Sequence, residues 1–243
     1  MSEKKKLLLT GAAGKVGRAV LPFLREKYAV TCFDRAAVPG QADAMIGSIA
    51  DLKTMRSAVR GHDYIIHLAA NPWDAAFEEQ LVPNNIVGPY NVLQSAHEYG
   101  AKRVVFASTC HTVNAYPEDK LIEVEDPFRP DNLYGVTKAY GEVLGRLYSD
   151  RYGLPFVAVR IGWLQAEDTT NIWTHRAADS FWITPQDLAD VFIRAIETPG
   201  IQFQVVFATS EVAKPRFSLK TAQEVLGYEP KSSLIKAREK LKK

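Results

Sequence analysis

Tyr134 and Lys138 are four residues apart in a segment whose composition is typical of a helix. This spacing places a phenol and an ammonium group one turn apart on the same helix face. The ammonium favours the phenolate, so it should lower the tyrosine pKa from about 10 toward neutrality. A tyrosine with that pKa can act as a general base toward an alcohol hydroxyl. The spacing is also common on solvated helices, so the pair indicates catalysis only beside a hydride acceptor.

A glycine-rich turn near the N-terminus could hold such an acceptor. Gly11, Gly14 and Gly17 lie between an apolar strand predicted at residues 7–10 and an amphipathic helix at residues 18–27. Glycines there let the backbone approach a pyrophosphate, which then lies at the helix N-terminus. The strand before the turn and the helix after it make this motif informative. The predicted contacts of the turn come from Gly11, Ala13, Gly14, Lys15, Val16 and Gly17.

The next strand, predicted at residues 28–33, is followed by Asp34 and Arg35. A carboxylate at this position accepts hydrogen bonds from the adenosine ribose hydroxyls and repels a 2′-phosphate. Asp34 therefore favours NAD over NADP as the cofactor. The guanidinium of Arg35 could instead serve a 2′-phosphate, so use of both cofactors stays open.

Strands and helices alternate along the chain in the rhythm of parallel β-α-β units. We predict strands at residues 7–10, 28–33, 64–68, 104–107, 156–160 and 204–208, and helices at 18–27, 51–59, 85–99, around Tyr134, from Pro185 and at 219–226. The pattern predicts an α/β fold with a doubly wound parallel sheet (Rossmann fold) and a small C-terminal substrate-binding portion. We expect a single domain over residues 1–243, with the cofactor-binding and catalytic core mainly in 1–161. Residues 162–243 would form a substrate loop, at 162–183, and the small C-terminal part.

Composition and charge argue against several classes of function. The 243 residues are 47% hydrophobic and 24% charged, as in soluble globular proteins. A net charge of +2 argues against a nucleic-acid surface, and the lysines at residues 4–6 and 231–243 are interpreted as solvated termini. No apolar run has the length of a membrane span, and the first residues do not resemble a secretory signal. Two cysteines, Cys32 and Cys110, fit a reducing cytoplasm, and with the five histidines they show no metal-ligand spacing.

These motifs together resemble the extended short-chain dehydrogenase/reductase family. The cofactor turn is Thr10-Gly11-x-x-Gly14-x-x-Gly17, the adenine-binding pair Asp51-Leu52, the fourth-strand segment His67-Leu68-Ala69-Ala70, and the catalytic pair Tyr134-x-x-x-Lys138. Asn85 and Asn91 fall where the family's central-helix motif has asparagines, and Leu226 to Pro230 look like its C-terminal ending. The resemblance implies that Asp51, Leu52, Leu68, Ala69, Ala70 and Asn85 join the turn in binding NAD.

The resemblance also implies a mechanism and an assembly. Tyr134 would take the hydroxyl proton, while Lys138 would hold the nicotinamide ribose and lower the tyrosine pKa. A Ser or Thr hydroxyl would hydrogen-bond the reacting oxygen, and the family's spacing selects Thr109 over Ser108 for that task. Ser108 would either join Thr109 in steadying the reacting oxygen or pack against the cofactor. Members of this fold often form homo-oligomers, which we expect here.

A closer likeness is to the uronate (hexuronate) dehydrogenases. It is carried by Val105 to Thr112, by Arg129 to Lys138 and by Val159 to Gly162. The likeness implies oxidation of a hexuronic acid at C1 to a lactone, with Arg176 engaging the substrate carboxylate bidentately. The substrate contacts implied are Asn71, Thr109, Cys110, His111, Trp163 and Arg176. Cys110 replaces an asparagine, Trp163 a small hydroxyl residue, and Asn71-Pro72 a serine-containing stretch, so the sugar stays open.

Several alternatives remain at this point. The pocket could suit a sugar phosphate or a plain aldose, and the same tyrosine could serve an epimerase or a reductase. His111 could bind substrate or make a structural hydrogen bond. From another class, the chain could be a dinucleotide sensor without catalysis. The complete set of Tyr134, Lys138 and Thr109 argues against the sensor, which would not need these residues.

Overall fold

The computed structural model describes residues 4–42, 44–72, 75–167, 171–175 and 177–241. Its elements, in chain order, are β1 (Lys6–Thr10), α1 (Lys15–Lys27), β2 (Ala29–Asp34), β3 (Met45–Ile46), α2 (Leu52–Val59), β4 (Tyr64–His67), a π-helix (Phe77–Val87), α3 (Gly88–Glu98), β5 (Arg103–Thr109), a 3₁₀ turn (Cys110–Thr112), α4 (Leu133–Tyr152), β6 (Phe156–Ile161), β7 (Trp163–Leu164), α5 (Asn171–Thr174), α6 (Ala178–Phe181), β8 (Trp182–Ile183), α7 (Pro185–Glu197), β9 (Phe203–Ala208), α8 (Lys220–Leu226) and α9 (Leu234–Leu241). Among the helices in these ranges, none has both the length and the apolar character needed to cross a membrane.

Within the described residues, seven parallel strands form one sheet in the order β3-β2-β1-β4-β5-β6-β9. The chain builds outward from β1 to β3 and then starts again beside β1 with β4. Ligands of open α/β sheets bind in the crevice at the carboxyl ends of strands where the order reverses. The predicted doubly wound sheet is confirmed, and its switch point lies between β1 and β4.

Alternate residues of β1 enter the two layers that cover the sheet. Leu7 and Leu9 pack in the cluster that contains Phe192 of α7. Leu8 packs on the opposite face, in the cluster that contains Val92 of α3. Strands buried on both faces explain why β1 is a continuous apolar run.

Helix α4 lies unusually close to the sheet. Its first turn is capped by Asn132, whose side chain accepts a hydrogen bond from Gly135 N at 2.7 Å. Gly141 faces the ring of Phe106 in β5, and Gly145 faces the ring of Phe156 in β6. A methyl group at either position would overlap the ring, so the two glycines set the distance between α4 and the strands.

The helix predicted at residues 85–99 differs from the observed one. A π-helix occupies residues 77–87, and regular α-helix begins only at Gly88. Pro83 and Pro89 each lack a backbone N–H, and their rings crowd the preceding turn. The wider turns of the π-helix accommodate Pro83, and Gly88 N donates a hydrogen bond to Pro83 O.

The basic tail forms a helix that the sequence did not predict, although its described lysines are solvated as expected. Residues 234–241 form α9, in which Leu234 and Ala237 are buried against Trp182. Arg238 donates to the carbonyl of Ile172 at 2.6 and 3.0 Å. Lys236 and Lys240 fall on the exposed face of this amphipathic helix, so the number of lysines in the tail concealed the apolar positions between them.

The stretch predicted as a lid or substrate loop, residues 162–183, has a buried C-terminal end. Its two ends form the short parallel pair β7 and β8. Trp182 and Ile183 are fully buried, so the second end belongs to the core. The predicted division of the chain at residue 161 stays a prediction.

Candidate active site

The glycine turn between β1 and α1 has the shape needed to hold an anion. Gly11 has a φ of 75°, and a Cβ there would lie 2.5 Å from the backbone nitrogen of Ala69. A Cβ on Gly17 would overlap the carbonyl of Gly11. Gly14 is the N-cap of α1, and among the described residues no side chain caps its first turn and no acid lies in it. A pyrophosphate fits this helix terminus, since it would satisfy the N–H groups.

Asp34 closes β2 beside this turn. Its carboxylate accepts hydrogen bonds from Ala13 N at 2.9 Å and from Ala36 N at 3.1 Å. With Arg35 it lines a cavity of about 260 Å³ at the switch point of the sheet. The position suits ribose hydroxyls, as predicted for an NAD site.

The predicted adenine-binding pair, Asp51 and Leu52, is not part of the lining of this cavity. Asp51 is the N-cap of α2, and its carboxylate accepts from Lys53 N at 3.0 Å. The cavity is instead lined by Ser48 and Ile49, which follow the end of β3. Ser48 and Ile49 are therefore added to the candidate cofactor residues, and a contact of Asp51 and Leu52 with adenine stays a prediction. The two-residue strand β3, missed in the sequence, would have pointed to Ser48 and Ile49, because cofactor cavities open at the carboxyl ends of strands.

Asn85 supports the cavity wall and does not line it. It is 1% exposed, and its Oδ1 accepts from Asn71 N at 2.7 Å. Its Nδ2 donates to Asn71 O and to Thr137 Oγ1, both at 3.0 Å. The predicted cofactor contact is thus corrected to a brace between a cavity loop and α4. Similarly, Asn91 donates to Ile49 O at 2.9 Å.

Asn71 was predicted to bind substrate, but it lines the first cavity. Its neighbours Leu68, Ala69 and Ala70, predicted to contact the cofactor, line the same cavity. The loop that follows β4 therefore forms part of the wall of this cavity.

A second cavity of about 310 Å³ continues from the first, sharing Gly11, Gly14, Leu68 and Ala70 with it. Predicted residues that meet here are Lys15, Val16, Gly17, Ser108, Thr109, His111, Tyr134, Lys138 and Trp163. The structure thus brings the predicted catalytic residues together at the end of the cofactor cleft.

Thr109 and Tyr134 line this cavity together, and the Thr109 hydroxyl lies close enough to the phenol to lower its pKa. Lys138 Nζ donates to the carbonyl of Ala107 at 2.7 Å and lies 5.8 Å from the centroid of the Tyr134 ring. The end of β5 therefore positions both members of the tyrosine–lysine pair. Because Ser108 donates its proton to Glu142, Thr109 is the hydroxyl directed to the tyrosine.

Burial shifts the pKa values of Tyr134 and Lys138 in opposite directions. It raises the pKa of Tyr134 above its ordinary value, and the nearby Thr109 hydroxyl opposes this shift. Burial also lowers the pKa of Lys138 to about 7, which the nearby carboxylate of Glu142 partly counteracts. In the protein alone, burial thus sets the direction of the Tyr134 shift, and a lowering of its pKa by Lys138 stays a prediction.

His111 lies at the mouth of the second cavity, with its ring centroid 6.2 Å from that of Tyr134. Its Nδ1 is 2.8 Å from Asp131 Oδ1 and 3.2 Å from Asn132 Nδ2. Asp131 also accepts from Asn114 at 2.6 Å. The imidazole is therefore held in place by a structural contact while it faces the cavity, so the two alternatives for His111 are compatible.

Trp163 forms the opposite wall, where its ring stacks on His175 with centroids 4.4 Å apart. The predicted carboxylate anchor, Arg176, lies outside the described residues. Within the described part of the chain, no group of three or more His, Cys, Asp or Glu side chains could hold a metal ion.

Cys110 does not face the substrate. It is buried in a cluster with Ile122 and Phe217, and its Sγ donates to Arg160 O at 3.8 Å. Burial raises the pKa of its thiol well above the usual range. The predicted substrate contact is therefore wrong, since the 3₁₀ turn after β5 directs this side chain into the core.

Comparisons with known proteins agree with this geometry. The model of the NAD dependent epimerase/dehydratase family matches residues 7–178. The uronate dehydrogenase of Pseudomonas putida is 35% identical, over 94% of this chain and 84% of that protein. The L-arabinose 1-dehydrogenase (NAD(P)(+)) of Haloferax volcanii is 33% identical, over 94% of this chain and 97% of that protein. The crystal structure of uronate dehydrogenase from Agrobacterium tumefaciens gives a TM-score of 0.87 at 30% identity, covering 98% of this chain and 89% of that one.

The family match, the relatives and the cleft support the same conclusions. The predicted Rossmann fold, NAD as cofactor and an NAD-dependent dehydrogenase acting on CH–OH groups are confirmed. The matched residues include the glycine turn, Asp34 and the tyrosine–lysine pair. By the extent of this match, the chain belongs to the NAD dependent epimerase/dehydratase family, within the extended short-chain dehydrogenases/reductases.

Proposed function

We propose that the protein oxidises C1 of a hexuronate, such as glucuronate or galacturonate, to an aldarolactone. The observation that carries the proposal is that Thr109, Tyr134 and Lys138 line one cavity at the end of the cofactor cleft. It puts a proton acceptor and a second hydroxyl at one point, where a substrate hydroxyl can meet both.

In the proposed reaction, Tyr134 accepts the proton of the anomeric hydroxyl and Thr109 hydrogen-bonds the same oxygen. Bound NAD⁺ supplies the hydride acceptor and a positive charge that favours the tyrosine phenolate. C1 thus loses a hydride and its hydroxyl loses a proton, so C1 becomes the carbonyl carbon of a lactone. Lys138, fixed by Ala107 O, is assigned to the nicotinamide ribose and to stabilising the phenolate.

The uronate is supported by the relatives and by the cavity wall. The Pseudomonas putida and Agrobacterium tumefaciens relatives are uronate dehydrogenases. His111 faces the cavity beside Tyr134, and Trp163 offers an aromatic face to the C–H surface of a sugar. We propose that Arg176 engages the carboxylate, because a guanidinium binds one bidentately.

A neutral aldose is the second candidate. The Haloferax volcanii relative, an L-arabinose 1-dehydrogenase, is 33% identical to this chain. The bulky Trp163 and the inward-facing Cys110 also reduce the space and the polar contacts expected around a uronate.

The test is a comparison of NAD⁺ and NADP⁺ reduction with glucuronate, galacturonate, L-arabinose, glucose and glucose 6-phosphate. We expect a uronate with NAD⁺ to give a kcat/KM at least about tenfold above the other sugars. Tyr134→Phe is the control and should lower kcat by about 10²- to 10⁴-fold while NAD⁺ still binds.

Each other outcome selects an alternative. Turnover of L-arabinose or glucose without turnover of a uronate would make the enzyme an aldose dehydrogenase. Turnover of glucose 6-phosphate alone would make Arg176 a phosphate anchor. NAD binding without turnover of any sugar would favour an epimerase or the non-catalytic sensor.

A further inference from the structure

Glu142 of α4 is a buried acid to which the proposed mechanism gives no task. Its side chain is 2% exposed, and that of its partner Arg160 on β6 is 3% exposed. Arg160 donates from Nε to Oε1 at 3.0 Å and from Nη2 to Oε2 at 2.9 Å, and Ser108 donates to Oε1 as well. This bidentate pair is fully desolvated and geometrically defined, so the carboxylate has little freedom to move.

The same carboxylate completes a series of contacts between β5 and α4. Thr109 lies beside Tyr134, the Ala107 carbonyl accepts from Lys138, and Ser108 donates to Glu142. The three α4 residues are spaced by one turn and lie on one face of the helix. Glu142 is the contact farthest from the reacting hydroxyls. It therefore sets the register in which α4 presents the tyrosine and the lysine.

Glu142 also bears on the charge of Lys138. The titratable groups around this ammonium are Tyr134 and Glu142 of α4, His67 of β4, Arg160 of β6 and, lining the same cavity, His111 of the 3₁₀ turn and Lys15 of α1. His67 is neutral, because burial lowers its pKa to about 3. Of these groups, Glu142 is the carboxylate, and its charge opposes the effect of burial on Lys138.

We propose that Glu142 is a positioning residue of the dehydrogenase reaction, which holds α4 in register with β5 through Ser108 and places a carboxylate one helical turn from Lys138. The proposal rests on the proposed function for its kinetic consequences only. The register contact and the charge are separate contributions, and two variants separate them.

Glu142→Gln keeps the size of the side chain and an acceptor for Ser108 but removes the charge. We expect the alkaline limb of the kcat profile for sugar oxidation to move to lower pH by about one unit or more. Ser108→Ala removes the register contact and leaves the ion pair. Ser108→Ala should lower kcat by about tenfold without moving the alkaline limb of the kcat profile. Asp150→Asn, at an exposed acid of the same helix, is the matched control and should change neither.

A double variant and a direct measurement of the Lys138 pKa test the same proposal. If Glu142→Gln does not fold because Arg160 is left unpaired, the double variant Glu142→Gln with Arg160→Met removes both charges. The Lys138 pKa is measured directly by NMR of the labelled lysine side chain, without any sugar, and should fall by about one unit or more in the variant.

The outcomes are distinct. A Lys138 pKa and a kcat profile that match the wild type in the Glu142 variants would overturn the proposal. A wild-type protein that oxidises no sugar would overturn the proposed function, while the NMR result would still decide whether Glu142 controls the lysine.

Discussion

The two ends of the cleft are built in different ways. The cofactor end is formed mainly where β1, β2 and β3 end, with Gly11, Asp34 and Ser48 in the first fifth of the chain, together with the loop after β4. The substrate end uses side chains from distant segments, such as His111 and Trp163. When the residues that bind a ligand are close together in the chain, they form a motif that can be found in the sequence. Recognition by side chains from separate segments depends on how the fold brings them together.

The largest expected effect tests the cofactor end. Gly11→Ala requires an alanine at a φ of 75° and puts its methyl group against Ala69 N. We expect a loss of about 2–5 kcal/mol in the free energy of unfolding, from the left-handed backbone and the overlap together, with loss of NAD binding. Thermal unfolding and NAD titration measure the two effects.

The matched control is Gly61→Ala. Gly61 has a φ of 82°, but nothing lies within 4 Å of an added Cβ. Gly61→Ala should therefore lower the free energy of unfolding by about 1–2 kcal/mol, from the left-handed backbone alone, without any change in NAD affinity. Equal losses in the two variants would show that the close approach to Ala69 is unimportant.

The next effect tests the structure that joins the two ends. Gly141→Ala would push α4 away from Phe106, and with it the lysine contact to Ala107. A displacement on the order of 1 Å should lower kcat about 10²-fold. Gly145→Ala makes a similar overlap with Phe156, but farther from the site. This variant should lose stability, and its loss of kcat should be smaller than that of Gly141→Ala. The same kcat loss in both variants would mean that α4 moves as a whole.

A smaller effect concerns the choice of cofactor. Asp34→Asn keeps an acceptor for one of the two backbone N–H groups and removes the negative charge. The preference for NAD⁺ over NADP⁺ should then fall by about tenfold, measured as the ratio of kcat/KM values. Arg35→Ala in the same background should restore part of the preference if the guanidinium holds the 2′-phosphate. An unchanged ratio in Asp34→Asn would contradict the role of the carboxylate.

The smallest effect tests the substrate end. Cys110→Ala should leave the KM for the sugar within about twofold, because the thiol faces the core and makes no contact with the cavity. The native thiol should also resist a thiol reagent until the protein unfolds, since only the thiolate reacts. A clear rise in KM would return Cys110 to the substrate site.

The sequence predicted what depends on local spacing. The glycine turn, Asp34, the Tyr134–Lys138 pair and Thr109 lie together in the structure, because each is positioned by the end of a strand or the face of one helix. Ser48 and Ile49 were missed, since a two-residue strand has no periodicity to detect.

Tertiary contacts explain the remaining differences. Asparagine is a residue type that can bind a cofactor, but the side-chain amide of Asn85 is hydrogen-bonded to Asn71 and Thr137. The orientation of Cys110 depends on the turn that follows β5, and the pKa of Tyr134 on burial by several elements. None of these properties can be inferred from spacing along the chain.

The glycines of α4 also bear on how the site forms during folding. Each glycine in a helix costs roughly 0.5–1 kcal/mol relative to alanine, so Gly141 and Gly145 weaken the isolated helix. Its stability must come from contact with the rings of Phe106 and Phe156. The helix that carries the tyrosine should therefore become fully ordered only after β5 and β6 have assembled, which makes the proton-transfer pair a late product of folding.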